Sequence, residues 1–308
     1  MFCVTLKLMK IATYNVRNLF DPGTFLDERA IDPVDEGFFN QRITYLTQTF
    51  KDLDLDIVCL QEIGGEQGLT RIGNELGYEY FFAKPNKRGI RMAVLYKKSL
   101  QGLLTCESVS LGDLKLPTVT VRGDTEALTP ISNRRDVLVI DVAYQGKKIR
   151  LVTFHLKSLF PEYLEGDDME NDRQAHTDGK FRCILYKMLE LRGLRALADK
   201  SLDEGRDVIF LGDFNDNNNS SGIDILKSSN KEEYMLSDVL VGYEGERTTH
   251  FHSGNKLSFD TILVSSKIKE MITSLGVENK TLKDYSLLGP GEIEHELESD
   301  HALVWITI

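Results

Sequence analysis

Short apolar runs that break on a carboxylate, an amide or an imidazole recur along this chain, and their spacing sets out its elements. The clearest run is Val208, Ile209, Phe210, Leu211 and Gly212. Its length and composition predict a strand buried on both faces. Asp213, Asn215 and Asp216 follow at once, and an asparagine tract at 217–219 continues as a turn. Residues 10–16 predict a strand that carries Asn15 in its interior, where propensity disfavours an amide. Residues 56–62 predict a second strand, ending on Glu62. Residues 78–82 and 92–96 predict two more. Residues 137–143 and 149–155 flank Gln145, Gly146 and Lys147 and predict a hairpin whose second strand ends on His155. Residues 259–264 predict a strand with Asp260 near its start, and Asp300 and His301 precede a terminal strand.

Helical spacing appears between these runs. Ile43, Leu46, Thr47 and Phe50 predict a helix over 40–51 that returns the chain to the sheet holding 10–16. Shorter helices are predicted over 69–76 and 267–274. A long one is predicted over 181–202, with Ile184, Leu185, Met188, Leu191, Leu194, Leu197 and Ala198 as its apolar stripe. Residues 20–39 read as a loop, 103–121 as irregular with some strand character, and 244–255 as polar connection. Residues 157–179 form an acidic insertion, expected to be a solvated or mobile flap. The stretch 292–298 is also acidic. Residues 85–89, together with Arg91, make one of the few locally basic stretches, either a solvated hairpin tip or a substrate contact.

Composition narrows this picture. The chain has 308 residues, 41% of them hydrophobic, with no repeat, low-complexity linker or compositional break, and reads as one domain over 1–308. Its net charge of -11 excludes bulk attraction to nucleic acid; phosphate would have to be met locally, by metal ions or a few placed cations. The four cysteines are scattered without a paired spacing, and Cys59 falls in an apolar run. A reduced, cytoplasmic setting is the expectation. No run approaches the ~18 apolar residues of a membrane helix, the first ten residues lack the marks of a signal peptide, and no obligate protein partner is evident.

Asn15, Glu62, His155, Asp213, Asn215, Asp260, Asp300 and His301 therefore share a placement in or beside predicted strands. Each alone could be an ordinary strand end, turn residue or satisfied core histidine. Together they are oxygen ligands, imidazoles and acid–base groups, without a thiolate set, and they suit Mg²⁺ or Mn²⁺ better than zinc.

The pieces Thr13 to Val16, Leu60 to Glu62, Phe154-His155, Leu211 to Asn215, Phe259-Asp260 and Ser299 to His301, in this order over nearly the whole chain, resemble the endonuclease/exonuclease/phosphatase superfamily. The resemblance implies an α/β fold, a four-layered sandwich of two mixed β-sheets packed face to face with helices outside. It implies hydrolysis of a phosphate ester by metal-activated water. In those terms Asn15, Glu62 and Asp300 would bind or orient the metal. Asp213, with Asn215 beside it, would position or deprotonate the water. His301, oriented by Asp260, would contact the scissile phosphate, and His155 another phosphate oxygen. Arg135 resembles a phosphate-contacting arginine of the nuclease branch, with Arg134 competing. The run from Phe154 to Ser158 resembles bacterial nucleases of the superfamily and tilts the reading towards DNA or RNA. A phosphomonoesterase, or a phosphodiesterase for a small or lipid-type substrate, is the alternative. A non-catalytic scaffold of the same fold stands outside that class.

Overall fold

The central apolar runs become strands because both of their faces are covered. The computed structural model describes residues 8–24, 33–111, 113–115, 130–132, 135–288 and 296–308. Its strands are β1 (Lys10–Leu19), β2 (Ile57–Ile63), β3 (Tyr78–Phe82), β4 (Arg91–Lys97), β5 (Leu104–Val109), β6 (Asp113–Lys115), β7 (Pro130–Ser132) and β8 (Val137–Tyr144). They continue with β9 (Lys147–His155), β10 (Asp207–Asp213), β11 (Ser237–Asp238), β12 (His250–His252), β13 (Asn255–Leu257), β14 (Asp260–Val264), β15 (Ser274–Glu278) and β16 (Leu303–Thr307). The helices are α1 (Glu36–Leu53), α2 (Gln67–Leu76), α3 (Arg173–Asp203), α4 (Ser221–Lys227) and α5 (Ser266–Met271).

Two six-stranded mixed sheets result, ordered β15-β16-β1-β2-β4-β3 and β11-β14-β10-β9-β8-β5. Alternation along each strand assigns the faces. Ile11, Ile57, Cys59 and Val94 of the first sheet meet Ile140, Leu151, Ile209 and Ile262 of the second in a shared core. The intervening Ala12, Tyr14, Val58 and Leu60 face outward against Phe39, Ile43, Leu46 and Phe50 of α1 and Leu69 and Ile72 of α2. Val152, Phe154, Val208 and Phe210 face Leu191, Leu194 and Ala198 of α3 and Ile223 and Leu226 of α4. The chain is thus a four-layered α/β sandwich, as expected. β8 and β9 form the predicted hairpin, its turn made by Gln145 and Gly146 at φ 49° and 76°.

Several boundaries move, each for a local reason. α1 begins within the predicted 20–39 loop, where Asp35 accepts a capping bond from the Phe38 amide at 2.7 Å. α3 begins at Arg173 rather than 181, because Asp172 caps Gln174 and Ala175. Its first turns carry no apolar stripe, and Ile184, assigned to that stripe, is 45% exposed. Gly179 lets the insertion lie against α3, since a Cβ there would stand 3.1 Å from Pro161 Cβ and 3.2 Å from the Glu162 carbonyl oxygen. The insertion is tied down by Arg182, which bonds Glu162 O at 2.8 Å and Asp167 at 3.0 Å. The 267–274 helix stops at Met271, and Ser274 opens β15 instead. The polar stretch 244–255 holds β12 and the start of β13. The predicted elements over 116–121 and 292–295 lie outside the described residues, as does Arg134.

Candidate active site

Sheet topology explains why polar groups far apart in sequence converge. β10 runs parallel to β9 and antiparallel to β14, and the register pairs Asp213 with His155 on one side and with Asp260 on the other. Three neighbouring strands thus present His155, Asp213 and Asp260 as one row. Asp260 starts its strand because that strand is antiparallel to the others. Gly212 permits the close approach to β9, since a Cβ there would stand 2.1 Å from the Phe154 carbonyl oxygen.

The other sheet supplies the opposite wall. Asn15 of β1 lies in register with Gln61 of β2, and the register shifts between Asn15 and Leu19. This irregularity puts Arg17 and Asn18 at φ 50° and 47°. Their amides then donate to Asn15 Oδ1 at 3.0 Å and to Glu62 Oε2 at 2.9 Å. Among the described residues, four of the seven non-glycine residues with positive φ are Arg17, Asn18, Glu62 and Asn215. Backbone strain is therefore concentrated at this cleft, as expected of a functional site. Ser299 Oγ donates to the Asn15 carbonyl at 2.6 Å and accepts from the His301 amide at 3.1 Å, fixing the Asp300-His301 turn against β1.

The side chains form one network. Asn15 Nδ2 donates to Glu62 Oε1 at 3.1 Å and to Asp213 Oδ2 at 3.0 Å. Asn215 donates its amide to Asp213 Oδ1 at 2.7 Å, and its Nδ2 to Asp213 Oδ2 at 3.1 Å and Leu156 O at 3.0 Å. His301 Nδ1 lies 2.8 Å from Asp260 Oδ2, and its Nε2 lies 3.9 Å from Asp213 Oδ2. His155 Nε2 stands 3.4 Å from Asp213 and 3.8 Å from Glu62.

The two histidines are driven apart electrostatically. Burial would lower the His301 pKa, but Asp260, Asp213 and Asp300 raise it well above the ordinary value, favouring the imidazolium. Burial, then the charges of Arg135 and His301, hold His155 well below that value and neutral. Burial raises the carboxyl pKa of Asp213, opposed first by His301. Burial also raises that of Glu62, opposed by the bond from Asn15 and increased by Asp300 and Asp213.

The residues fit a hard divalent cation. Glu62, Asp213, Asp260 and Asp300 crowd more negative charge than one imidazolium offsets, and buried Asp260 Oδ1 has no hydrogen-bond partner among the described residues. Oxygen donors of this kind suit Mg²⁺ or Mn²⁺. Ligand atoms of Asp213, Asp260 and His301 lie within 4.8 Å of one another, as do those of His250, Asp300 and His301. Asn15 spends its Nδ2 on the two carboxylates and its Oδ1 on the Arg17 amide. It thereby bridges the Glu62 and Asp213 carboxylates.

The two predicted arginines make different contacts. Arg135 Nη1 donates to the carbonyls of His155 at 2.9 Å and Leu156 at 3.5 Å, gripping the strand end that carries His155. Arg91 pairs with Glu66 at 3.5 Å and lies over the Phe82 ring at 4.1 Å. No hydrogen bond or ion pair joins it to Glu62 or Asp213 among the described residues.

Four supporting groups were not read from the sequence. Gln61, buried between the sheets, bonds Thr13 at 3.1 Å and Thr153 at 3.0 Å and so couples the wall carrying Glu62 to the strand carrying His155. Arg42 of α1 donates to the carbonyls of Val16 and Arg17, bracing the irregularity in β1. Glu190 of α3 accepts from the Lys157 amide at 2.8 Å, and burial pushes its carboxyl up to about 7. Lys187, wholly buried on α3, donates to the Asn215 carbonyl at 2.6 Å and pairs with Asp216 at 3.6 Å.

Lys187 thereby props the Asn215 backbone in its left-handed conformation. Lys187→Met removes a charge-assisted bond worth ~1.5–3 kcal/mol but also relieves an ammonium buried at a cost of several kcal/mol. Metal-free melting should hold within a few degrees, while turnover falls about a hundredfold as the Asp213–Asn215 loop shifts. Melting and turnover of the purified variant test this. Wild-type turnover would mean that the loop is held without Lys187.

A family model described as the Endonuclease/Exonuclease/phosphatase family matches residues 12–301. No curated protein matches the sequence. Solved structures do match in fold. A humanized D. rerio TDP2 carrying 14 mutations superposes with a TM-score of 0.59 at 18% identity, over 97% of this chain and 98% of that one. An endonuclease/exonuclease/phosphatase from Bacteroides vulgatus gives 0.59 at 15% identity, over 98% of each chain. D. rerio TDP2 complexed with single strand DNA product gives 0.54 at 18% identity, over 97% of this chain and 98% of that one.

Proposed function

Because the chain belongs to the endonuclease/exonuclease/phosphatase family, we propose that it is a divalent-metal-dependent phosphoesterase whose substrate is a nucleic-acid phosphodiester. The observation that carries the hydrolytic reading is the Asp260–His301–Asp213 arrangement. One buried imidazolium is held at Nδ1, 2.8 Å from Asp260, with its Nε2 3.9 Å from a second buried carboxylate. An acid and a base thus face one small space.

Glu62 and Asp300, with Asn15 orienting Glu62, would hold a Mg²⁺ or Mn²⁺ ion, which when bound would supply Lewis-acid chemistry to a phosphoryl oxygen and to water. Asp213 takes the proton of the attacking water. Burial makes it a stronger base than a solvated aspartate, while Asn15 and Asn215 aim its oxygens. His301 donates from Nε2 to a phosphoryl oxygen as negative charge grows there, and Asp260 keeps it charged and oriented. Neutral His155 offers one N–H to a second oxygen.

Nucleic acid as the substrate is supported by the run from Phe154 to Ser158 and by the fold shared with a TDP2 crystallised with single strand DNA product. The net charge of -11 then assigns phosphate binding to the bound cation, His301 and Arg135 rather than to a basic surface. The test is incubation of purified protein with single-stranded DNA, duplex DNA, RNA, inositol phosphates and a chromogenic phosphodiester, in Mg²⁺, Mn²⁺ or EDTA. Metal-dependent cleavage of a nucleic acid is expected. Cleavage confined to small monoesters would overturn the nuclease reading, and silence on every ester would overturn the hydrolase reading.

A further inference from the structure

His250 stands beside the site without a part in the chemistry above. It opens β12, in a stretch of sequence whose polarity predicts only a connection. The structure places it in an antiparallel bridge with His301. Its ring is stacked on Phe259 at 5.0 Å and 15°, and lies 4.6 Å from the His301 ring at 32°. His252 stacks at 6.3 Å and 14°.

The neighbouring bonds make Thr249 and His250 a single clamp. Thr249 Oγ1 accepts from the Asp260 amide at 2.9 Å, and its carbonyl accepts from the Ala302 amide at 2.7 Å. Asp260 and the residue that follows His301 are therefore anchored to one residue. His250 adds the remaining bond, from Nδ1 to the Asp300 carbonyl at 2.8 Å. A carbonyl can only accept, so Nδ1 carries the proton. Burial and the charge of His301 lower the His250 pKa, although Asp300 and Asp213 oppose this. A neutral ring with its proton on Nδ1 is the single tautomer that satisfies the bond.

That carbonyl is not an arbitrary acceptor. It belongs to the peptide joining Asp300 to His301. The orientation of this peptide plane sets the backbone torsions from which both side chains project. One of those side chains is directed at the metal and the other at the phosphate. A nitrogen of His250, a nitrogen of His301 and a carboxylate oxygen of Asp300 already lie within 4.8 Å of one another. A phenylalanine could supply the stack on Phe259 but would leave this carbonyl without its donor. Functional groups generally have to be held within ~0.5 Å and 10–20° of their working geometry.

We propose that His250 is a positioning residue, whose Nδ1–H bond to the Asp300 carbonyl sets the Asp300-His301 peptide and so aims the metal-directed carboxylate and the phosphate-directed imidazole together. This rests on the hydrolase reading above, and its test separates the two. Three variants divide the roles of the ring. In His250→Asn the amide nitrogen occupies the position of Nδ1 and keeps the donor. In His250→Gln the donor moves one methylene outward. In His250→Phe the stack survives without a donor.

Mn²⁺ is titrated calorimetrically into each metal-free protein, turnover is measured on single-stranded DNA, and melting is followed in EDTA. His250→Phe and His250→Gln should bind Mn²⁺ and turn over about 10–100-fold less well, the usual penalty for losing an outer-shell partner, with the loss in kcat rather than KM. His250→Asn should keep both within about fivefold of wild type. Wild-type Mn²⁺ affinity in His250→Phe would overturn the proposal, as would equal impairment of the asparagine and glutamine variants. Where His250→Phe melts too low to assay, the asparagine–glutamine comparison decides. If the wild-type protein binds Mn²⁺ but cleaves no ester, the hydrolase reading falls and the order of metal affinities still decides the role of His250.

Discussion

Asp213→Asn is expected to lower turnover by about a hundred- to ten-thousand-fold, the range for a lost general base, equivalent to roughly 3–5 kcal/mol of barrier. The substitution keeps volume and leaves an amide oxygen that can accept from the Asn215 amide, now 2.7 Å from Oδ1. The other position is harder to satisfy. Asn15 Nδ2 and Asn215 Nδ2 both donate to Oδ2, at 3.0 and 3.1 Å. An amide nitrogen there meets donors, and losing such a bond costs ~1–3 kcal/mol. Against this, the variant no longer buries a carboxylate beside Glu62 and Asp260. The opposing effects are of similar size, so melting in EDTA should stay within a few degrees of wild type. Charge repulsion alone would let melting hold or rise; the two donors aimed at Oδ2 remove the rise. The measurement is turnover together with thermal melting. A variant that melts normally and retains more than about a tenth of wild-type turnover would exclude Asp213 as the base.

The same residues show how far the sequence alone could lead. Strands buried on both faces must be apolar throughout, so 208–212 and 56–62 are visible as runs, and a polar group at such a run's end is conspicuous. Asp213, Glu62 and His155 were legible for that reason. Asp300 and His301 looked exceptional because they precede their strand. Antiparallel pairing of β16 with β1 brings that strand's start to the end where β1 and β2 finish. Lys187 and Glu190 left no comparable signal. A lysine and a glutamate on an amphipathic helix read as solvated surface, and it is the Asn215 carbonyl, Asp216 and the Lys157 amide that make their burial tolerable. Arg42 is hidden likewise, since its acceptors exist only where β1 loses its regular pairing. His250 lay in a stretch whose strand is three residues long, too short for any periodicity. Arg91 was read from local charge, and it pairs with Glu66 and lies over the Phe82 ring.

Chelation is expected to abolish turnover and Mg²⁺ or Mn²⁺ to restore it, and Glu62→Gln should uncouple the protein from the metal without unfolding it. Glu62 sits at φ 64°, its two oxygens held by Asn15 Nδ2 and the Asn18 amide. Glutamine keeps one oxygen acceptor and the length of the side chain. It removes a charge that burial, Asp300 and Asp213 all disfavour in the metal-free protein. Its amide nitrogen meets one of those two donors at a cost of ~1–3 kcal/mol, so melting in EDTA should stay within a few degrees of wild type. With metal the two proteins separate. An ion present at 100 times its Kd stabilises the wild-type fold by ~2.7 kcal/mol. For 308 residues the unfolding entropy is roughly 0.65 kcal/mol/K, so wild-type melting should climb by about 4 °C. The glutamine variant should show little of that gain, and calorimetry should show weaker Mg²⁺ binding. Turnover should fall with it, and excess metal should recover part of the loss. Two results would remove Glu62 from the metal site: a full metal-induced rise in the variant's melting temperature, or wild-type turnover in EDTA.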